Sequence, residues 1–495
     1  MSATFADPVE RHADAAPDKP AIRFAGVALS YAGLAERAAA AARGLREAYG
    51  VGPGDRVAVL ARNHPGTLVL LLACARLGAM LVPLNWRLAA AELAWIVGHA
   101  APRVLAVDAA SASLAPAGVP VLDLDAGLSG LDGGGPGRDA GAGLGRPLLL
   151  VYTSGTTGRP KGAVLTGDAL LAHAALSVDM HDLSAADHVL TVLPLFHVGG
   201  LNIQTTPALL AGATVTLHPR FSAPDTLAAI AADRPTLTVL VPSTLRALIE
   251  DPAWPGADLS SLRAVATGST VVPPHLVAPL RARGVTVLEV YGATETAPIA
   301  IYEPLRGGPV RPGPGCEARA VDDAGRDVPP GTPGEVWVHG PQLFRGYWRD
   351  PAATAAALCD GWFRTGDVGT QAPDGSWTVH DRRGHLIVSG GENVYPAEVE
   401  RALHEHPAVL EAAVVGRPDP RWQEVPVAFV VPRPGRACDA EALRGHLLGR
   451  LARYKVPREF RVVPVLPRNA MGKVRYAALK AALPAAPETA PETAP

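Results

Sequence analysis

Apolar positions along this chain alternate between a helical and an extended rhythm. Leu34, Ala38, Ala41, Leu45 and Ala48 share one helical face behind Ser30, a residue type suited to an N-cap. Arg56–Leu60 then reads as a buried strand, and a helix follows from about Gly66. The apolar run of that helix, Leu68 to Ala75, stops at Arg76 and is too short to span a bilayer. Leu81–Leu84, Val104–Val107 and Leu148–Val151 continue as strands, and Val189–Leu193, Thr214–Leu217, Leu237–Val241, Ala264–Ala266 and Val285–Val290 repeat the pattern. Such alternation predicts parallel strands covered by helices. Gly127–Gly145, rich in glycine and aspartate, predicts an exposed loop.

After about Gly313 the texture changes. Short strands such as Gly334–Val338 and Ser376–Val379 lie between Gly/Pro/Asp turns, which predicts a β-rich subdomain. From Arg383 a smaller α+β unit is expected, with helices near Ala397–His404 and Ala440–Leu451 and strands near Val409–Val415 and Val425–Val431. The tail from Pro484 repeats Ala-Pro-Glu-Thr and predicts disorder. The expected architecture is α/β: a large N-terminal domain over 1–382, with stacked α/β subdomains and the β-rich subdomain, a small α+β domain over 383–483, and a tail over 484–495.

Composition narrows the partners. At 495 residues the chain is too long for one ordinary core. A net charge of −2 gives no footing to nucleic-acid or anionic-membrane binding. Cys74, Cys316, Cys359 and Cys438 are far apart and form no Cys-x-x-Cys pair, which fits a reducing, cytoplasmic setting. The N-terminus lacks the basic and apolar regions of a signal peptide.

The chemistry begins where Leu148–Val151 empties into Tyr152-Thr153-Ser154-Gly155-Thr156-Thr157-Gly158-Arg159-Pro160-Lys161-Gly162. Glycines allow close backbone approach, hydroxyls and N–H groups donate, and Lys161 adds a cation, so the natural guest is a polyphosphate. It is not the common P-loop, because Lys161 is followed by glycine rather than Ser or Thr. Further clusters follow in order. Leu193–Gly200 contains His197, which alone would be an ordinary packed histidine. Thr267-Gly268-Ser269-Thr270 alone would be a turn. Tyr291-Gly292-Ala293-Thr294-Glu295-Thr296 sets a hydroxyl beside a carboxylate, a pairing suited to a phosphate and its Mg²⁺, though Thr294 could simply cap a helix. Gly361–Asp367 supplies a carboxylate after a glycine turn, Ser389–Pro396 is a second glycine loop, and Pro467–Lys473 presents a lysine on a turn.

Together and in this order, over about Ala21 to Leu479, these clusters resemble the adenylate-forming superfamily of acyl-CoA synthetases, peptide-synthetase adenylation domains and luciferases. The wording of Ser389–Glu400 is similar to that of fatty-acyl and aryl-CoA ligases. The resemblance implies ATP, Mg²⁺ and CoA as cofactors and a small-molecule carboxylic acid as substrate. Thr153, Ser154, Gly155, Thr156, Thr157, Gly158 and Lys161 would hold the β- and γ-phosphates. Gly268, Ser269, Thr270, Tyr291 and Gly292 would line the adenine and acyl pocket. Thr294 would touch the α-phosphate, Glu295 would hold Mg²⁺, and Asp367 with Arg382 would serve the ribose. Lys473 would bridge the substrate carboxylate and the α-phosphate. His197, Gly199, Gly200 and Ala293 would border the acyl group, and Ser389, Gly390 and Gly391 the pantetheine of CoA. The small domain would be mobile, rotating between half-reactions. Relatives carry charged residues after the arginine, where this chain has Gly384 and His385, so Gly384 is the expected hinge.

The stretches expected to line the acyl pocket, His197–Ile203, Pro242–Leu245 and Tyr291–Ile299, contain no lysine or arginine, with Arg246 only at the edge. That disfavours a dicarboxylate, which would want a buried cation. Gly199, Gly200 and Ala293 are expected to leave room for a medium or long alkyl chain or an aromatic ring. A ligase that loads a carrier-protein phosphopantetheine and a non-catalytic nucleotide binder are the competing readings, and a homodimer is a candidate assembly.

Overall fold

The computed structural model describes residues 3–126, 143–153, 160–268, 272, 274–389, 392–419, 422–469 and 472–483, with backbone alone at 381–383, 388, 392 and 393. The expected loop over 127–145 and the tail over 484–495 lie largely or wholly outside them. The chain divides into two compact units. The first comprises residues up to 272 with 279–318 and 337–365, and the second 273–278, 319–336 and 366–495.

The first unit carries two sheets. The nine-stranded sheet has at its centre Thr286–Tyr291, Ala264–Gly268, Leu237–Val239, His188–Thr191, Thr214–Leu217 and Pro20–Phe24, all mutually parallel. Ala264–Gly268 and Thr286–Tyr291 run side by side, with Gly268 opposite Val290, so two of the sequence clusters emerge together from carboxyl ends of neighbouring strands. In open α/β sheets that is where ligands bind. The seven-stranded sheet runs Gly346–Tyr347, Lys161–Thr166, Pro147–Thr153, Met80–Leu84, Arg56–Leu60, Val104–Val107 and Val121–Asp123. It is parallel except at one side, where Pro147–Thr153, Lys161–Thr166 and Gly346–Tyr347 are antiparallel.

Local chemistry explains the elements. Ser30 accepts a hydrogen bond from Gly33 N and caps helix Tyr31–Tyr49, which ends at the left-handed Gly50. Helix Pro65–Leu77 is buried at every residue from Gly66 to Leu77, which is why its sequence is apolar all round. Its one charge, Arg76, meets Glu10 at 2.6 Å. Met80, Val82, Leu84, Leu105 and Leu150 pack with Leu93 and Ile96 of helix Ala90–Ala100 on one face of the seven-stranded sheet.

In the second unit the long strands Val409–Asp419 and Gln423–Pro432 are buried on both faces. Ala412, Val414, Ala428 and Val430 join one cluster with Val399 and Leu403 of helix Pro396–His404. Ala413, Val415, Val427 and Phe429 face the other way, with Leu466 and Leu479. Two covered faces explain why both strands read as continuous apolar runs.

Candidate active site

The polyphosphate loop closes a β-hairpin. Thr153 stands opposite Lys161 in the register, and the Thr153 hydroxyl donates to the Lys161 carbonyl at 3.3 Å. Ser154, Gly155, Thr156, Thr157 and Gly158 lie outside the described residues, as do Ser269 and Thr270. Lys161 Nζ lies 5.2 Å from the centroid of the Tyr347 ring, within cation–π range.

Thr294–Thr296 forms a single 3₁₀ turn after strand Thr286–Tyr291. Its N-cap position is Ala293, not Thr294, and the Thr296 hydroxyl accepts from Ala293 N at 2.9 Å. The glycine before it is obligatory, since a Cβ on Gly292 would stand 1.8 Å from the Pro298 carbonyl oxygen. Glu295 is only 8% exposed. The Tyr347 hydroxyl donates to its Oε1 at 2.6 Å, and its carbonyl accepts from Phe344 N at 2.8 Å. No ion pair reaches Glu295 among the described residues. A buried carboxylate without a cation is costly, and a divalent ion would relieve it. No group of three or more His, Cys, Asp or Glu among the described residues could hold a metal. The donor set therefore fits an ion shared between one carboxylate and a nucleotide's phosphates, the usual habit of Mg²⁺.

Behind this turn lies the segment expected to border the acyl group. His197 Nδ1 accepts from Gly199 N at 3.0 Å and caps a short helix that passes into a π-helix over Leu201–Thr205. Asn202 Nδ2 donates to the Ala297 carbonyl at 3.1 Å, tying this segment to the Glu295 turn. Gly199 and Gly200, expected to leave room for a guest, stand close to the chain's own atoms. A Cβ on Gly199 would meet the His197 ring at 2.9 Å, and one on Gly200 the Pro194 carbonyl oxygen at 2.3 Å. The chain's own atoms already fill those spaces.

In the second unit, Asp367 is directly opposite Arg382 across the antiparallel strands Trp362–Gln371 and Trp377–Arg382. Asp367 is 9% exposed, while the Arg382 side chain is outside the described set. Ser389 is buried and pairs with Gln423; Gly390 and Gly391 lie outside the described residues. Gly384 sits in a one-turn 3₁₀ helix, Arg383–His385, with nothing within 4 Å of a Cβ placed on it. Lys473 is exposed on a turn held at its base: Asn469 N donates to the Lys473 carbonyl at 2.9 Å, and Lys473 N donates to Asn469 Oδ1 at 3.0 Å. Glu411 fixes the same turn through Arg468 at 3.0 Å.

Sequence reasoning missed Tyr347. It lies on a two-residue strand far along the chain from both of its charged neighbours, and only pairing of Gly346 with Val164 and Tyr347 with Ala163 brings it to them. Nothing local in Gly346-Tyr347-Trp348 signals that placement.

In the first unit, strand Pro147–Thr153, parallel to Met80–Leu84, leads into the hairpin with Lys161, and strand Thr286–Tyr291 leads to the buried Glu295 carboxylate, an arrangement that fits nucleotide binding. The chain belongs to the AMP-binding enzyme family, which it matches over residues 9–348, with the C-terminal domain of that family over 398–473. It is 49% identical over 491 residues to an indoleacetate–CoA ligase of Aromatoleum aromaticum, covering 94% of this chain and 96% of that one. It is 42% identical over 474 residues to a feruloyl-CoA synthase of an Amycolatopsis species, covering 94% and 96%. The o-succinylbenzoate CoA synthetase of Bacillus subtilis, solved with its acyl-adenylate intermediate, superposes with a TM-score of 0.85 at 31% identity, over 96% of this chain and 97% of that one. The fold class expected from the sequence, a large N-terminal α/β domain with a small C-terminal one, is the fold of these relatives.

Proposed function

We propose that this protein is an ATP-dependent, AMP-forming carboxylic acid–CoA ligase whose acid is an aryl or arylalkyl monoacid. The observation that carries the chemistry is the meeting of Lys161 and the buried Glu295 carboxylate on one side chain, Tyr347. The identity of the acid leans on the relatives named for indoleacetate and ferulate, and on expected pocket stretches that contain neither lysine nor arginine.

The acid is ionised near neutral pH and needs no base to attack. Its carboxylate oxygen attacks the α-phosphorus, pyrophosphate leaves, and an acyl-adenylate remains. The CoA thiol then attacks the acyl carbon and AMP departs. The first step joins anions, so it needs alignment and neutral surroundings rather than proton transfer. Thr153, Lys161 and the loop tip serve the β- and γ-phosphates, Thr294 the α-phosphate, Asp367 and Arg382 the ribose. Gly268, Tyr291 and Gly292 border the nucleotide and acid, with His197 and Ala293 on the acid's side. Mg²⁺ held by Glu295 would neutralise phosphate charge. Lys473 would bridge the carboxylate and α-phosphate, and Ser389 would border the pantetheine. We place the hinge at Gly384 and the domain boundary at 382/383, inside the second compact unit rather than at its edge. We further propose a cytoplasmic homodimer. Four free thiols fit that compartment, and no described helix is long and apolar enough to cross a membrane.

The test is pyrophosphate release over indoleacetate, ferulate, octanoate and o-succinylbenzoate, with and without CoA. Aryl monoacids should lead, with AMP release requiring CoA. Turnover confined to the dicarboxylate, or none with any acid, would overturn the proposal.

A further inference from the structure

Tyr347 touches both charged groups that the proposed reading assigns to the triphosphate. Its hydroxyl donates to Glu295 Oε1 at 2.6 Å, and Lys161 Nζ lies 5.2 Å from its ring centroid. The segment around it is fastened on both sides. Phe344 N donates to the Glu295 carbonyl at 2.8 Å, Arg345 N to the Val164 carbonyl at 2.8 Å and Trp348 N to the Gly162 carbonyl at 2.7 Å. Phe344, 3% exposed, stacks edge-on against Tyr347 at 4.9 Å and against Phe363 at 5.5 Å. One side chain on a fixed strap thus spans the exit strand of the phosphate hairpin and the turn that carries the carboxylate.

We infer that Tyr347 is a positioning residue for adenylation, an inference that rests on the proposed reading of Glu295 and Lys161. Its hydroxyl occupies Oε1 and leaves Oε2 for a divalent ion shared with the phosphates. Its ring face sets where the Lys161 ammonium waits. The two contacts are separable by chemistry. Phenylalanine keeps the ring and removes the donor, whereas leucine removes both. Partners that orient a metal's ligand typically change metal affinity by about 10–100-fold, and an exposed cation–π contact is worth a few-fold in binding.

The experiment titrates ATP into the full-length protein by calorimetry with and without Mg²⁺, and follows pyrophosphate release against Mg²⁺ concentration. Tyr347→Phe should shrink the gain in ATP affinity that Mg²⁺ brings by about ten-fold and raise the Mg²⁺ needed for half-maximal release, so that added Mg²⁺ restores part of the loss. Tyr347→Leu should weaken ATP binding without Mg²⁺ as well, by about five-fold. In a Glu295→Gln background Tyr347→Phe should add nothing. An unchanged Mg²⁺ gain in Tyr347→Phe, or an equal loss in the Glu295→Gln background, would overturn the inference. Wild-type protein that releases no pyrophosphate with any acid would instead overturn the proposed function itself.

Discussion

In the first unit a Cβ built on Gly292 would stand 1.8 Å from the Pro298 carbonyl oxygen, one on Gly200 2.3 Å from that of Pro194, and one on Gly268 2.4 Å from that of Val290. In the second unit Gly384 and Gly472 have nothing within 4 Å of theirs. The same residue type therefore serves two purposes. Around Glu295 and His197 glycine lets backbones touch, which holds charges in place before any substrate arrives. Around the expected hinge and Lys473 it leaves open space, which suits a group that must be delivered. The charged residues follow suit. Glu295 is buried and tethered by a side chain, whereas Lys473 is exposed on a turn that Asn469 fastens through the Lys473 backbone.

The sharpest way to break this comparison is to remove the charge that is proposed to be delivered. Lys473→Ala should slow adenylation by about 10²–10³-fold, the usual loss for one well-placed electrostatic group. Thioester formation from a preformed acyl-AMP and CoA should survive. Equal loss in both half-reactions would mean that Lys473 acts as scaffold, like Glu295's neighbours, and the contrast would fail.

Crowding in the first unit is tested next by Gly292→Ala. Overfilling a packed site costs about 1–3 kcal/mol, and more where the obstacle cannot turn away. Here the obstacle is a backbone carbonyl, so a loss of at least about 3 kcal/mol is expected by chemical denaturation. A stability within about 0.5 kcal/mol of wild type, the range of an uncrowded surface site, would show that the turn can shift and that glycine is not required.

The contrast also marks what could be read from the chain. Strands Arg56–Leu60, Val104–Val107 and Thr214–Leu217 have the expected bounds, because short β-branched and leucine runs between turns signal buried strands whatever surrounds them. The clusters at Thr294-Glu295 and Asp367 could be proposed from the chain because each packs its candidate chemistry into a few consecutive residues. What the chain did not disclose is long-range. Tyr347 meets Glu295 from 52 positions away. At Gly199 and Gly200 the sequence shows a missing side chain but not the atoms that a Cβ there would meet.

A buried polar stripe in the first unit gives a pH test. His173 and His181 lie on helix Gly167–His181, 1% and 0% exposed, and the Nε2 of each is without a hydrogen-bond partner. Burial holds both neutral, pulling His173 down to about 3 and His181 down to about 4. The unfolded chain binds these protons below about pH 6.5 while the folded unit refuses them. Their contribution is fully present above that pH and falls away as pH drops from about 6.5 toward about 4 for His181 and about 3 for His173. A denaturation series over this window should show uptake of about one proton per histidine on unfolding. His380 and His406 of the second unit are partly exposed and shifted down less far, so they should add less. A flat series would mean that the stripe is hydrated.

The gentlest test falls on Gly384. Open space and an ordinary φ mean that Gly384→Ala should change stability by no more than about 0.5 kcal/mol, as at an uncrowded surface site. Gly384→Pro fixes φ near −65° and removes one degree of freedom at the proposed hinge. If the second unit turns there between half-reactions, proline should leave pyrophosphate release nearly intact and suppress thioester formation. Alanine should then fall between, since it narrows φ/ψ space without locking it. Should proline spare both half-rates, the open space at Gly384 is only a surface turn, and Gly384 is not the hinge.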